Sequence, residues 1–168
     1  ARDVEPQADR ILREMSDYLK TAKEFSFHAE VNYDVFDENE QKIQYGASVD
    51  IWVRRPGRLR ARFNGDERRT RSFFNGETVT IYNAIKKFYA VTKVPPKIDD
   101  ALDFIMDKYG FAVPIADFVY SDPYKVMIES VTSGYLVGTH MVDGLPCYHL
   151  AFRQDNIDWQ IWIEVGPK

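Results

Sequence analysis

The sequence predicts an α+β fold: an antiparallel sheet covered on one face by helices. Three observations carry this. The N-terminal segment spaces its apolar residues by three and four, the segments after it space theirs by two, and a proline-punctuated helical block separates those strands from a later group. An aromatic content of 14%, together with many Val, Ile and Thr residues, adds to the lean toward strands.

The elements follow in order. Between Glu5 and Glu24, Ala8, Ile11, Leu12, Met15, Tyr18, Leu19 and Ala22 mark one face of a helix, with Pro6 suited to its first turn. The period then becomes two. Phe25, Phe27, Ala29, Val31, Tyr33 and Val35 alternate with polar residues. After a polar turn at Asp37 to Glu40, Ile43, Tyr45, Ala47, Val49, Ile51 and Val53 do the same. Two long strands with one buried face imply an antiparallel pair covered on one side. Arg55-Pro56-Gly57 interrupts the pattern, and Leu59, Ala61 and Phe63 resume it. Asn75-Gly76, between Phe73-Phe74 and Thr78 to Tyr82, is a hairpin signal, and a further strand around Lys87 to Thr92 ends at Pro95-Pro96. The helical block runs from Asp99 to about Ser130. Ala101, Leu102, Ile105, Met106 and Tyr109 have helical spacing, Gly110 stops that helix, and Pro114 and Pro123 divide the rest into short helices. The last strands are expected at Tyr135 to Val142, Cys147 to Gln154 and Ile157 to Val165, so residues 1–168 read as one domain.

The register of the last hairpins follows from their apolar residues. A two-residue turn at Asp155-Asn156 sets Phe152 against Trp159, Leu150 against Ile161 and Tyr148 against Ile163 on one face. The other face then pairs Arg153 with Asp158, His149 with Trp162 and Cys147 with Glu164. A slip of one residue would destroy all of these pairs. A turn at Asp143-Gly144 likewise places Tyr135, Val137 and Thr139 opposite Phe152, Leu150 and Tyr148, and His140 opposite Cys147.

That register bears on chemistry. Cys147 and His149 stand two apart on one strand, roughly 6–7 Å between Cα atoms, too far for a direct thiol–imidazole hydrogen bond. His140 is the better placed partner, and Glu164 could complete a row. The same four residues could be imagined around zinc. Against both readings, a mid-strand cysteine has neither a helix N-terminus to lower its pKa nor an oxyanion hole. The expectation is therefore no catalytic residue, no metal and no cofactor. Asp99, Asp103 and Asp107 form a ladder that reads as helix-terminal charge, since no calcium-type loop accompanies them.

Charge and composition exclude further classes. Net charge is −4, which does not suit nucleic-acid binding. No apolar run approaches the roughly 18 residues of a membrane span. No phosphate loop, nucleophile elbow or zinc-protease helix appears. Eight arginines and two acids between Arg54 and Arg71 give that segment +6, leaving −10 elsewhere. Arg58, Arg60 and Arg62 project from the polar side of one strand. They are either a solvated outer face or a docking patch for an envelope protein partner or, as peripheral membrane contact, for anionic lipid headgroups. The inward face is strongly apolar: Phe27, Val31, Tyr33, Val49, Ile51, Val53, Phe63, Leu150, Phe152, Trp159 and Ile161 are the candidate ligand-binding residues. If the helices leave part of it uncovered, the remainder is a cleft for a lipid or an apolar peptide. The first residues, Ala-Arg-Asp-Val-Glu-Pro, suit a mature exported protein whose signal peptide has been removed, and a segment cut from a longer chain would begin in the same way.

Several segments resemble a bacterial family of predicted periplasmic proteins of unknown function. They are Pro6-Gln7-Ala8-Asp9, Val53-Arg54-Arg55-Pro56 with Leu59-Arg60, Phe74-Asn75-Gly76, Ala101-Leu102-Asp103-Phe104, and Tyr120-Ser121-Asp122-Pro123-Tyr124. Cys147-Tyr148-His149-Leu150-Ala151-Phe152-Arg153-Gln154 with Asp158-Trp159-Gln160-Ile161-Trp162-Ile163 belongs with them. By fold that family is similar to the outer-membrane lipoprotein carrier LolA. The resemblance implies a strongly curved antiparallel half-barrel, with an N-terminal helix and a helical insert on its concave face. It also implies a periplasmic, non-catalytic protein that binds or carries a hydrophobic small molecule, lipid or lipoprotein acyl chain, or an apolar peptide. It brings no catalytic residues. Members of the family continue past the equivalent of Gly166-Pro167-Lys168 into further strands, so the resemblance also implies that an edge of the sheet lies beyond this segment.

Overall fold

The structure, a computed structural model, describes residues 2–110, 115–155 and 157–166. Contacts divide the chain into two compact units, Ala1–Ala22 with Tyr120–Lys168, and Lys23–Val119. The fold class is the expected mixed α+β one. The sequence did not indicate that the strands hydrogen-bond in two separate ladders, one of four strands and one of six.

The first unit begins with a two-residue strand β1 (Asp3–Val4) and helix α1 (Pro6–Thr21). Pro6 opens the helix, where its missing amide hydrogen costs nothing. Ala8, Ile11, Leu12 and Met15 are buried at the expected spacing, whereas Tyr18 is exposed. Ser16 is fully buried, and its hydroxyl accepts a hydrogen bond from the Tyr124 amide at 2.9 Å. That bond ties α1 to the short helix α3 (Pro123–Ile128), which starts at a proline and is capped by Asp122 accepting from the Lys125 amide at 3.1 Å. The sheet of this unit has the order β1-β8-β9-β10, with β8 at Ser133–Val142, β9 at Leu145–Arg153 and β10 at Asp158–Glu164. β1 pairs in parallel with β8, an addition the sequence did not signal, and the other pairs are antiparallel.

The β9–β10 register is the expected one throughout, from Asp158 opposite Arg153 to Glu164 opposite Cys147. Asn156 of the expected turn lies outside the described residues. The β8–β9 register departs from expectation in its first half. His140 and Thr139 face Cys147 and Tyr148 as expected, but a bulge between Leu136 and Gly138 leaves Val137 without a partner. One extra residue reverses the parity upstream. Leu136 therefore faces Leu150 and Gly134 faces Phe152, while Tyr135 and Val137, expected inside, are exposed. Asp143 and Gly144 both have positive φ, 49° and 81°, which is the twist a two-residue hairpin requires.

The second unit is a six-stranded antiparallel meander: β2 (Glu24–Phe36), β3 (Lys42–Arg54), β4 (Arg58–Gly65), β5 (Arg69–Phe74), β6 (Thr78–Asn83) and β7 (Phe88–Lys93). Asn75 shapes the β5–β6 turn: its side-chain oxygen accepts from the amides of Glu77 and Thr78 at 3.0 and 2.9 Å. Helix α2 (Ile98–Tyr109) ends at Gly110 in the left-handed conformation, φ 65°. Its buried stripe is Ile98, Ala101 and Ile105, with Leu102 alongside, whereas Met106 and Tyr109 are exposed although the spacing had placed them on the same face. That stripe packs on Val49, Ile51, Val53 and Phe74, the core of the unit. Full burial of an Ile of this kind contributes about 1.5–3 kcal/mol. A 3-10 turn at Ala116–Phe118 follows, with Phe118 edge-on to Phe27 at 6.4 Å, and Pro114 lies outside the described residues.

Candidate functional site

The inner face of the six-stranded sheet is built from rows that cross the strands. One row reads Phe25, Val53, Leu59, Phe74 and Val79; the next reads Phe27, Ile51, Ala61, Ser72 and Ile81. The first is large throughout. The second has two small residues, Ala61 and Ser72, at its middle, and α2 presents a third, Ala101. Larger side chains there would meet; these leave a cavity of about 230 Å³. Its apolar lining includes Val49, Ile51, Phe63, Val79, Ile81 and Ile105. Its polar lining is Arg68, Thr70 and Ser72, and the Arg68 guanidinium lies over the Phe63 ring, 4.4 Å from its centre.

Of the candidate ligand-binding residues, Val49, Ile51 and Phe63 line this cavity. Val53 is buried beside it, and Phe27 and Val31 pack against the same core. Tyr33 lies further along β2, against Tyr45 at 6.0 Å. Leu150, Phe152, Trp159 and Ile161 belong to the other sheet. There Leu150 and Phe152 are buried, Trp159 stacks on Phe152 at 4.4 Å, and Ile161 faces Leu150. The Trp159 indole N–H is buried without an acceptor among the described residues. The lining residues Val79, Ile81, Ile98 and Arg68 were not in the candidate set. Strand alternation through Thr78 to Tyr82 carries the first two, but the small residues that make room carry no signal in hydropathy.

The cysteine–histidine row does not assemble. Cys147 is buried rather than on an open outer face, and its thiol donates to the Leu145 carbonyl at 3.7 Å. His140 instead meets His149, Nδ1 to Nδ1 at 3.0 Å. His149 is further held by Gln160 Oε1 at 2.6 Å and by stacking on Trp162 at 4.2 Å. No group of three His, Cys, Asp or Glu residues able to hold a metal exists among the described residues, and this includes the acidic ladder of α2.

The outer face of the six-stranded sheet carries the arginines. Arg54 pairs with Glu24 at 2.7 Å and Arg62 approaches Asp50 at 3.8 Å. Arg60 lies over two rings, Trp52 at 4.9 Å and Phe73 at 5.7 Å, and Arg62 also lies over Trp52 at 5.4 Å. Beside them His28 bridges two carboxylates, Nδ1 to Asp50 at 2.8 Å and Nε2 to Glu30 at 2.7 Å, and these bonds raise its pKa above the ordinary value.

A family model of predicted periplasmic proteins (DUF2092) matches residues 8–168. The chain belongs to that family. Nothing in the family's description assigns a reaction. The DUF2092 chain is also similar to a crystal structure of a DUF1329 family protein from Desulfovibrio piger, at 11% identity over 95% of this chain and 68% of that one, with a TM-score of 0.36. No curated protein matches. None of the helices among the described residues is long and apolar enough to cross a membrane.

Proposed function

We propose that this DUF2092 chain is a non-catalytic periplasmic binding protein for a hydrophobic ligand, an acyl chain or an apolar peptide side chain, taken up between α2 and the six-stranded sheet. The observation that carries the reading is the apolar cavity of about 230 Å³ beneath Ile98, Ala101 and Ile105. An apolar cavity of about 150 Å³ already accepts benzene, so a chain segment somewhat larger than a benzene ring fits. Each methylene buried there contributes about 0.8 kcal/mol. Arg68, an exposed residue of the lining, suits a carboxylate or phosphate at the ligand's polar end, because guanidinium groups bind such anions bidentately. In this reading Val49, Ile51 and Phe63 contact the ligand, and the burial of Cys147 and the engagement of His140 with His149 support binding without a chemical step.

Native mass spectrometry of the protein purified from its envelope, with solvent extraction of the same sample, tests the proposal. The expected result is a co-purifying acyl-bearing species displaced by added fatty acid. A ligand-free mass, together with no uptake of fatty acid at micromolar concentration, would contradict it.

A further inference from the structure

The cation-rich face of the six-stranded sheet is more uniform than the clustering of arginines indicates. Strand alternation and the ladder registers place Arg58, Arg60 and Arg62 of β4 beside Arg69, Arg71 and Phe73 of β5. Next come Thr78, Thr80 and Tyr82 of β6, then Tyr89, Val91 and Lys93 of β7. Across these four strands the outward positions hold six cations and not one carboxylate. The acids of the face, Glu24, Glu30, Asp34 and Asp50, lie on β2 and β3 and engage Arg54, His28, Lys42 and Arg62. Arg58, Arg60, Arg69 and Arg71 have no carboxylate within 4.0 Å among the described residues.

Aromatic groups are interleaved with these charges and exposed. Trp52 and Phe73 flank Arg60, and Tyr89 is 70% exposed. A shallow groove of about 620 Å³ lies at the Arg58–Asn75 end of the sheet, lined by Trp52, Arg54, Arg58, Arg60 and Phe73 and by Glu24, which Arg54 neutralises. At the opposite end of the same strands the β6–β7 hairpin presents Ile85 and Phe88, each more than half exposed, around Lys86 and Lys87. Asn83 holds that tip by accepting from the amides of Ile85 and Lys86 at 3.1 and 2.9 Å.

We propose that this face docks the protein on an anionic bilayer, with the arginines of β4 and β5 on lipid phosphates and Trp52, Tyr89 and the Ile85–Phe88 tip at the headgroup level. Guanidinium groups bind phosphate bidentately, and Trp and Tyr favour the membrane interface, where one end is apolar and the other wet. An array of cations on β4, β5 and β7 without intervening acids complements an extended plane of phosphates rather than a single acidic side chain. The proposal does not depend on the cavity.

Flotation with vesicles of phosphatidylethanolamine containing phosphatidylglycerol, compared with vesicles of phosphatidylcholine alone, tests it. The expected result is at least tenfold preference for the anionic vesicles, lost at high salt, with a blue shift of tryptophan emission that Trp52→Phe removes. The triple variant R58E/R60E/R71E should abolish flotation while keeping the far-ultraviolet circular dichroism of the parent. If that variant does not fold, Arg69→Gln with Arg71→Gln should lower the bound fraction severalfold, as should Ile85→Ser with Phe88→Ser at unchanged charge. Equal flotation with neutral vesicles, no flotation, or flotation indifferent to these substitutions would overturn the proposal. So would an arginine-dependent protein complex formed by a chain that ignores anionic vesicles. Ala61→Leu, which fills the cavity, should leave flotation unchanged.

Discussion

Phe152 lies directly over the backbone of Gly134: a β-carbon at position 134 would stand 2.3 Å from Cδ1 of the Phe152 ring. Phe152 is held from its other side by stacking on Trp159. Gly134→Ala should therefore force the ring off its rotamer, at a cost of about 1–3 kcal/mol. Urea unfolding followed by circular dichroism reads this as a lowered midpoint with an unchanged slope. An unchanged midpoint would mean that the ring yields freely.

That contact also shows why the β8–β9 ladder was only half legible. The turn at Asp143-Gly144 sets the register near the hairpin, and strict alternation from there puts Tyr135 inside. The bulge at Val137 reverses the parity, and nothing in the hydropathy of Tyr135 to Thr139 marks an extra residue. By contrast, β9–β10 was legible to the last pair, because Tyr148, Leu150 and Phe152 match Ile163, Ile161 and Trp159 in only one register. The candidate site divided in the same manner. Large residues such as Val49, Ile51 and Phe63 announce an inner face by alternation. The cavity itself comes from Ala61, Ser72 and Ala101, whose significance is their small size opposite one another, a relation that exists only once strands and helix are assembled. The division of the strands into two ladders is likewise a pairing outcome that composition does not encode.

His28 gives the outer face a pH dependence. Hydrogen bonds to Asp50 and then Glu30 raise its pKa above the ordinary value of about 6.5. A group whose folded-state pKa is raised stabilises the fold fully below its unfolded pKa, and that contribution fades as pH rises through the folded value. The side chain is exposed, so the effect is small. Thermal unfolding of the parent and of His28→Gln should differ most below the ordinary histidine value of about 6.5, and the difference should shrink as the pH rises above it. A gap that widens with pH would contradict this assignment.

Cys147 should behave as a structural residue. Its thiol is buried and directed to the Leu145 carbonyl, so a thiol reagent reaches it only when the hairpin opens. Labelling of the native protein by an aromatic disulfide reagent should be slower than in denaturant by on the order of 10³-fold or more. Rapid stoichiometric labelling without denaturant would return Cys147 to consideration as a reactive centre.

In the proposed function the space between α2 and the six-stranded sheet receives an apolar ligand, and small side chains make that space. Ala61→Leu should fill it from the sheet side, with stability kept or raised by about 0.5–2 kcal/mol, as is common for cavity-filling changes. Titration of a fluorescent fatty acid into the parent and into Ala61→Leu is the most direct measurement. The expected result is saturable micromolar binding to the parent and at least tenfold weaker binding to the variant, with circular dichroism unchanged. Equal affinity for the two proteins, or no binding to either, would contradict it.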